Sequence, residues 1–181
     1  MTTMTPPTAP TAPTAPTGPT GISRQERLQL WTELLELQHR YVSALDNNRL
    51  EEWPGFFVEE GRYEIIPKEN FDAGFPAPIM YCRNAGMLRD RVLSLRNANI
   101  FEDHVYRHST SGLVITAVKD GVVHTQSSYV VVITGTAGDS SVYQAGTYLD
   151  EVVLHEDEWR YRSKRVVYDT SRVATLLATP I

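Results

Sequence analysis

The sequence predicts an α+β fold in which N-terminal helices pack on one face of a strongly curved antiparallel sheet. Apolar residues recur at helical spacing in the first half of the 181-residue chain. Runs rich in β-branched and aromatic residues, separated by turn signals, follow in the second half. Helices followed by a long run of strands are typical of α+β domains. A curved sheet covered by one long helix forms a cone with an interior cavity.

Residues 1–21 predict a disordered tail ahead of a folded domain over residues 22–181. The tail repeats Thr-Ala-Pro and contains no charged side chain. Because proline fixes φ and removes backbone donors, an extended, polyproline-like segment is expected. It also lacks the basic start and apolar middle of a signal peptide. An inert tail is expected, and a proline-rich ligand for another protein is the alternative.

The first helix is predicted to begin at a capping box, with Ser23 and Glu26 in the S-x-x-E positions. One apolar stripe then runs for roughly 24 residues. The stripe consists of Leu28, Trp31, Leu34, Leu35, Gln38, Tyr41, Val42 and Leu45. Asp46 and the asparagines after it end the helix, because these side chains compete for backbone groups. Asp46 is therefore expected near the mouth of the cone.

The middle of the chain alternates short elements with a loop. Residues 50–57 predict a short helical segment interrupted at Pro54. A strand is predicted over residues 61–67, and a long loop over residues 68–78. Apolar residues at helical spacing predict a second amphipathic helix over residues 85–98.

The second half predicts strands. Two β-rich runs meet at Asp120-Gly121, a strong hairpin signal. A third strand follows over residues 142–154, and the last strand begins at residue 159. Strict alternation would place Arg160, Arg162 and Lys164 on one face with Val166 and Tyr168. Such a row is either a solvated face or a contact surface.

Composition limits the function classes. The formal net charge is −5 and no block of Lys and Arg is present, so nucleic acid and anionic membranes are poor partners. Cys82 is the one cysteine, which excludes an internal disulfide and a cysteine-built zinc or iron–sulfur site. No apolar run approaches the roughly 20 residues needed to span a bilayer. We expect a cytoplasmic protein with Cys82 as a small buried residue.

Asp46 and His108 are candidates for acid–base chemistry. Such a pair needs an imidazole that titrates near neutrality and a carboxylate that orients it. Asp46 ends the first helix, and His108 begins a predicted strand that faces it. The alternative is structural: Asp46 caps the helix end, and His108 makes a hydrogen bond that stabilises the fold.

His104 and His108 are candidate metal ligands, because they are four residues apart beside Glu102 and Asp103. On a helix this set could form a two-histidine, one-carboxylate iron site. The segment instead continues into a predicted strand, where positions i and i+4 lie about 13 Å apart. No metal site on this chain is expected.

Several segments resemble the small (beta) subunits of aromatic-ring-hydroxylating dioxygenases, which are Rieske non-haem iron oxygenases. The segments are LDNNRLEEWPGFFVEEGRYEIIPKENFDAGFP, GMLRDRVLSLRNANIFEDHVYRH, GTYLDEVV and YDTSRVATLLATPI. The resemblance covers residues 25–181. ENFDAGFP and MLRDRV are most similar to small subunits that act on carboxylated rings, namely salicylate, anthranilate, terephthalate or halobenzoates.

The resemblance implies the cone-shaped NTF2-like fold that nuclear transport factor 2, ketosteroid isomerase and scytalone dehydratase share. It also implies a large (alpha) subunit that carries a Rieske [2Fe–2S] cluster and a mononuclear Fe(II). Three large and three small subunits usually assemble, and a separate reductase delivers electrons from NAD(P)H. The small subunit is structural, holds no cofactor, and associates with other small subunits, so catalytic residues are expected on the large subunit.

The resemblance also suggests roles for particular residues. Arg160, Arg162 and Lys164 are expected to meet carboxylates of another subunit, and Leu176 and Leu177 in TLLATPI are expected to join that contact. The aromatic cluster Trp53, Phe56 and Phe57 is expected to pack at the cavity entrance.

Two alternatives to the structural subunit remain at this point. One is a stand-alone dehydratase, isomerase or cyclase of the cone fold that uses Asp46 and His108. The other is a homodimer that binds a small ligand. A neighbouring gene for a large subunit with Cys-x-His and Cys-x-x-His Rieske motifs would favour the structural subunit.

Overall fold

A computed structural model describes residues 22–97, 104–169 and 179–181, in which helices pack on a six-stranded sheet. The predicted α+β fold is confirmed. The elements in chain order are α1 (Arg24–Asp46), a 3₁₀ helix (Leu50–Phe56), β1 (Phe57–Pro67), α2 (Lys68–Asp72), β2 (Met80–Cys82), α3 (Ala85–Asn97), β3 (His104–Lys119), β4 (Val122–Gly135), β5 (Ser140–His155) and β6 (Glu158–Tyr168). The predicted tail and the predicted contact residues Leu176 and Leu177 lie outside the described residues.

Helix α1 begins at the predicted capping box. The Ser23 main-chain N–H donates to Glu26 Oε2 at 2.9 Å, and the Glu26 N–H donates to Ser23 Oγ at 3.3 Å. The buried stripe starts later than predicted and consists of Leu34, Leu37, Gln38, Tyr41, Ala44 and Leu45. Leu28, which lies on the predicted apolar stripe, is 63% exposed. Trp31 reaches the sheet through its indole Nε1, which donates to the Leu113 carbonyl oxygen at 2.9 Å.

The predicted long loop over residues 68–78 is only partly a loop. It begins with α2, where Lys68 Nζ lies 2.7 Å from Asp72 Oδ2. The three-residue strand β2 follows the loop and was not predicted, since three residues are too few to show an alternating pattern. The second predicted helix is confirmed as α3, which buries Leu88, Val92 and Leu95.

The sheet has the strand order β2-β1-β6-β5-β4-β3 and is mixed. Strands β3 to β6 form successive antiparallel hairpins, whereas β1 and β6 pair in parallel. The expectation of an antiparallel sheet is therefore corrected at this one pair. Hairpin turns force neighbouring strands to run in opposite directions, but two helices and four strands separate β1 from β6 in the chain. No turn constrains their relative direction.

Two tight turns contain residues with positive φ: one joins β3 to β4, and the other joins β5 to β6. The predicted hairpin at Asp120 and Gly121 is confirmed, with φ of 51° and 75°. The β5–β6 turn has the same left-handed geometry at Glu156 and Asp157, with φ of 51° and 64°. Glycine normally occupies such positions, because a side chain is strained there.

Aromatic side chains fill the space between α1 and the sheet. Trp53 is fully buried, and its ring lies edge-on to Tyr63 and Phe57 at centroid distances of 5.1 and 5.9 Å. Phe56 and Phe57 are buried in the same cluster. These three aromatic residues thus lie in the core and not at a cavity entrance.

Ile181 completes this core and is fully buried. The hydroxyl groups of Tyr41 and Tyr63 each donate to its main-chain oxygen at 2.9 Å, and its N–H donates to Tyr63 Oη at 2.8 Å. Thr179 and Pro180 are buried beside it. Residues 179–181, which were expected in a subunit contact, are therefore buried within their own subunit.

Ile181→Ala should lower the free energy of unfolding by about 2–5 kcal/mol, because it leaves a cavity in a fully packed site. Urea unfolding followed by circular dichroism measures this change. Leu93→Ala is the matched control, since Leu93 is 63% exposed. Equal stability of the two variants would show that Ile181 does not pack in the core in solution.

Candidate functional site

Asp46 and His108 are in direct contact. His108 Nδ1 lies 2.6 Å from Asp46 Oδ1, and the His108 main-chain N–H donates to both carboxylate oxygens at 3.1 and 3.2 Å. The side chain of His108 is fully buried and that of Asp46 is 10% exposed. The carboxylate at the end of α1 is therefore hydrogen-bonded to both the backbone and the ring of a β3 residue.

The His108 ring is enclosed, and the Tyr106 ring lies edge-on to it at a centroid distance of 6.5 Å. Its Nε2 has no hydrogen-bond partner, and neither do the buried hydroxyl groups of Tyr106 and Tyr143, whose rings stack with centroids 5.1 Å apart. Burial raises the pKa of the Tyr106 hydroxyl well above its usual range. An oriented imidazole with two phenols can transfer protons in principle. Because the His108 side chain is fully buried, a substrate could reach Nε2 only after its neighbours moved.

The histidine pair considered for iron lies on a strand, as predicted. Strand β3 begins at His104 and includes His108, while Glu102 and Asp103 lie outside the described residues. Within residues 22–97, 104–169 and 179–181, no group of three or more His, Cys, Asp or Glu side chains is arranged to hold a metal ion. No helix in these ranges is both long and apolar enough to cross a membrane.

A β-bulge divides the predicted row of cations on β6. Glu151 pairs with Ser163 and Val152 pairs with Tyr161, so Arg162 is an extra residue in the strand. An extra residue reverses the inward and outward alternation of the residues that follow. The assignment of Lys164 to the same face as Arg162 is therefore wrong. Lys164 is fully buried, whereas Arg162 is exposed.

Lys164 lies in an aromatic cage at the centre of the subunit. Its Nζ is 3.0 and 3.3 Å from the two carboxylate oxygens of Asp150. The ring centroids of Tyr148, Tyr161 and Tyr41 lie 3.8, 4.6 and 4.7 Å from the same nitrogen. Burial lowers the pKa of Lys164 and raises that of Asp150, and each partner offsets part of the other's shift. The pair was missed because a charged residue in a strand ordinarily indicates an exposed face.

The outer face of the sheet carries a groove of about 780 Å³. Strands β1, β5 and β6 supply its floor, and the segment after α2 supplies a wall. Its lining residues are Glu60, Arg62, Glu64, Pro76, Pro78, Tyr81, Glu151, Arg162, Ser163 and Arg165. Arg162 was predicted from the sequence as a contact residue. The remaining lining residues were not predicted, because they become neighbours only when β1, β2, β5 and β6 pair in the sheet.

Ion pairs cross the floor of this groove. Arg162 Nη2 lies 2.9 Å from Glu151 Oε2, and Arg165 pairs with Glu64 on β1. Arg160, which was also predicted as a contact residue, lies outside the groove with its Nη2 3.6 Å from Glu158 Oε2.

Sequence comparison finds relatives that are small or beta subunits of dioxygenases. The family model of the SnoaL-like domain matches residues 26–165. The chain is 59% identical over 156 residues to the anthranilate 1,2-dioxygenase small subunit of Burkholderia cepacia. The matched region covers 86% of this chain and 97% of the Burkholderia subunit. It is 32% identical over 145 residues to subunit beta 2 of the terminal oxygenase component of terephthalate 1,2-dioxygenase from Comamonas sp. That match covers 78% of this chain and 92% of the Comamonas subunit.

Solved structures agree with these sequence relatives. A chain described as the beta subunit of an aromatic-ring-hydroxylating dioxygenase from Novosphingobium aromaticivorans is 42% identical, with a TM-score of 0.80 over 86% of this chain and 99% of that one. The beta subunit of benzoate 1,2-dioxygenase from Burkholderia mallei has a TM-score of 0.67 at 14% identity. The superposition covers 82% of this chain and 96% of the benzoate 1,2-dioxygenase subunit. The second likeness concerns the fold alone.

Lys164→Met should destabilise the subunit by about 3–5 kcal/mol at neutral pH, because it leaves the Asp150 carboxylate buried without a cation. The double variant Lys164→Met/Asp150→Leu should recover most of this loss, since both charges are then removed. Urea unfolding measures both changes, and Arg162→Met on the exposed face is the control, with little expected effect. A double variant no more stable than Lys164→Met would contradict the buried pair.

The pH dependence of Lys164→Met supplies an independent measurement. Burial already raises the pKa of Asp150, and the variant removes the cation that opposes this shift. In the unfolded chain the carboxyl ionises near its ordinary pKa of about 3.9. The contribution of Asp150 to stability should therefore be greatest below that pH and should fall as pH rises toward the folded-state pKa, by up to about 1.4 kcal/mol per pH unit, and it is read as the difference between the profiles of the variant and the parent chain. A flat profile between pH 4 and 7 would contradict burial of the carboxyl group.

Proposed function

The chain belongs to the SnoaL-like domain family and, within it, to the small (beta) subunits of aromatic-ring-hydroxylating dioxygenases, and from this membership we propose that it is a non-catalytic subunit that supports assembly of an iron-bearing large (alpha) subunit. The observation that carries the proposal is the 59% identity along 97% of a small subunit of this class. The fully buried His108 side chain supports a structural and not a catalytic role for the pair with Asp46.

The proposed substrate of the complex is a carboxylated aromatic compound. Two relatives with at least 32% identity are subunits of enzymes named for anthranilate and terephthalate. Both compounds are aromatic rings that carry carboxylate groups. Because the proposed catalytic centre lies on the large subunit, that chain would also contain the pocket that selects the ring.

The iron centres are proposed to belong to the large subunit. The residues of this chain do not fit a Rieske [2Fe–2S] cluster, which needs two cysteine and two histidine ligands, because Cys82 is the one cysteine. Cys82 is buried, and burial raises the pKa of its thiol, which disfavours the thiolate that binds metals. The mononuclear Fe(II) and the electrons that a separate reductase takes from NAD(P)H are likewise proposed for the other components.

The proposed partners are the large subunit and other small subunits, in a cytoplasmic complex of three large and three small subunits. Arg160 and Arg162 remain proposed contact residues, because both have solvent-accessible side chains on β6. Leu176 and Leu177 are proposed contacts from the resemblance alone. Lys164 is no longer a candidate, because it is fully buried beside Asp150.

A second candidate function is favoured by one observation. The 2.6 Å contact between His108 Nδ1 and Asp46 Oδ1 is the arrangement that a cone-fold dehydratase, isomerase or cyclase would need. The full burial of the imidazole argues against it. The two functions differ in what the purified chain does alone, since an acid–base enzyme would need no large subunit.

Co-expression with a large subunit that carries Rieske motifs tests the structural function. We expect a stable complex by size-exclusion chromatography with light scattering, with all the iron on the large subunit. The small subunit alone should bind no stoichiometric iron and should consume no oxygen with any electron donor. About one iron per isolated small subunit, lost in His104→Ala or His108→Ala, would contradict the proposal.

Asp46→Asn and His108→Ala should reduce stability and leave the chemistry of the complex nearly unchanged. Losing hydrogen bonds to a buried carboxylate should cost about 1–3 kcal/mol in the free energy of unfolding. Thermal unfolding measures this cost, and turnover is measured on complexes of normal stoichiometry. A loss of turnover of about a hundredfold in a fully assembled complex, the scale of general acid–base catalysis, would instead make the pair catalytic.

A further inference from the structure

A group of buried polar atoms on the inner face of the sheet has no hydrogen-bond partner among residues 22–97, 104–169 and 179–181. The atoms are His108 Nε2, the hydroxyl oxygens of Tyr106 and Tyr143, and Gln144 Nε2. The two tyrosines and the glutamine are 5%, 3% and 1% exposed, and the His108 side chain is fully buried. Buried polar groups are nearly always bonded to protein or to ordered water, so a partner is expected for each of these atoms.

Strand pairing places these side chains in neighbouring rows of the sheet. His108 on β3 is opposite Val131 on β4, and Val131 is opposite Gln144 on β5. Tyr106 is two residues before His108 and therefore points to the same face. Tyr143 is an extra residue at a bulge in β5, so that it and Gln144 are consecutive and both buried.

Ring contacts bring the rows together. The Tyr106 ring stacks on that of Tyr143 with centroids 5.1 Å apart, and it lies edge-on to His108 at 6.5 Å. Burial first, and the neighbouring Tyr143 hydroxyl second, raise the pKa of the Tyr106 hydroxyl well above its usual range. The two hydroxyl groups are therefore near each other, although they do not meet the geometry of a hydrogen bond.

The hydrogen-bonding capacity of the group fits water. Because His108 Nδ1 contacts Asp46, Nε2 is an acceptor in the neutral imidazole. The Tyr129 hydroxyl donates to Gln144 Oε1 at 2.7 Å, which leaves the two N–H donors of the amide nitrogen. A buried water molecule donates and accepts, and it makes about three hydrogen bonds. An anion only accepts, so it would leave His108 Nε2 unpaired.

We infer that the subunit encloses a binding site for ordered water molecules, formed by Tyr106, His108, Tyr143 and Gln144. The water bridges β3 to β5 and extends the contact of Asp46 with His108 from the end of α1 into the sheet. A bridge of this kind satisfies the acid–base pair without admitting a substrate. The inference goes beyond the proposed function and does not depend on it, because every residue involved lies inside this chain.

Removing one hydroxyl group at a time tests whether each has a partner. Tyr106→Phe and Tyr143→Phe keep the ring and should each lower the Tm of the full chain by about 2–4 °C, the shift expected for one lost hydrogen bond in a chain of this length. The double variant should have a lower Tm than either single variant, because His108 and Gln144 then lose the bridging water as well. Differential scanning calorimetry measures all three.

Two further tyrosines provide matched controls. Tyr129→Phe removes a direct bond to Gln144 and should lower Tm, whereas Tyr81→Phe, at a side chain that is 46% exposed, should change it little. A rise in Tm in either single variant at Tyr106 or Tyr143 would show a hydroxyl group without a partner and would overturn the inference. A double variant as stable as the parent chain would show that the two hydroxyl groups bond directly to each other, which also overturns it.

A crystal structure that resolves individual water molecules supplies the direct measurement. We expect at least one water molecule within about 2.7–3.2 Å of two or more of the four polar atoms. The same water should be missing in the double variant, with the surrounding side chains in place. A site without water, or one in which a protein group or a larger molecule bonds to these atoms, would overturn the inference.

Discussion

The β-bulge at Arg162 determines which residues of β6 face the helices and which face outward. Before the bulge, Tyr161 lies in the core; after it, Lys164 does, although strict alternation would point Lys164 outward. The same extra residue leaves Arg162 and Ser163 both lining the outer groove. The buried ion pair on one face and the groove on the other therefore depend on one local irregularity. Bulges are common where a sheet must re-aim a side chain.

The inside of this subunit combines acid–base groups with tight packing. Asp46 and His108 are in contact, and Lys164 and Asp150 form a second buried pair. In an enzyme, such groups would border a space that admits substrate. Here the rings of Tyr41, Tyr148 and Tyr161 pack around Lys164 of the second pair, and the His108 side chain is fully buried. Both pairs link separate elements, since Asp46 ends α1 and His108 lies on β3, whereas Lys164 and Asp150 lie on β6 and β5.

Local signals predicted the elements that depend on neighbouring residues in the sequence. The capping box at Ser23 and the hairpin at Asp120-Gly121 were confirmed, because their geometry is set within four residues. The family resemblance was confirmed as well, and with it the fold. The contact of Asp46 with His108 was anticipated from the placement of one at a helix end and the other at a strand start.

Features that depend on distant pairing could not be predicted in this way. The parallel β1–β6 pair joins residues about a hundred positions apart, and no turn between them encodes its direction. The bulge has no signature within RYRSK, so alternation assigned Lys164 to the wrong face. Arg62 was missed for the same reason, since its neighbours in the groove come from other strands. Leu28 lay on the apolar stripe, but the buried part of α1 begins at Leu34.

The hydrogen bond between Tyr41 and Ile181 spans 140 positions in the chain, and this has a consequence for biosynthesis. Helix α1 leaves the ribosome early, yet the residue that fills the centre of its core is translated only after all six strands. Contacts so far apart in sequence form late, because the chain entropy of closing a long loop must be overcome first. The nascent subunit therefore keeps an unfilled aromatic interior until residue 181 has emerged, and chaperones that shield apolar surface can bind it throughout that interval.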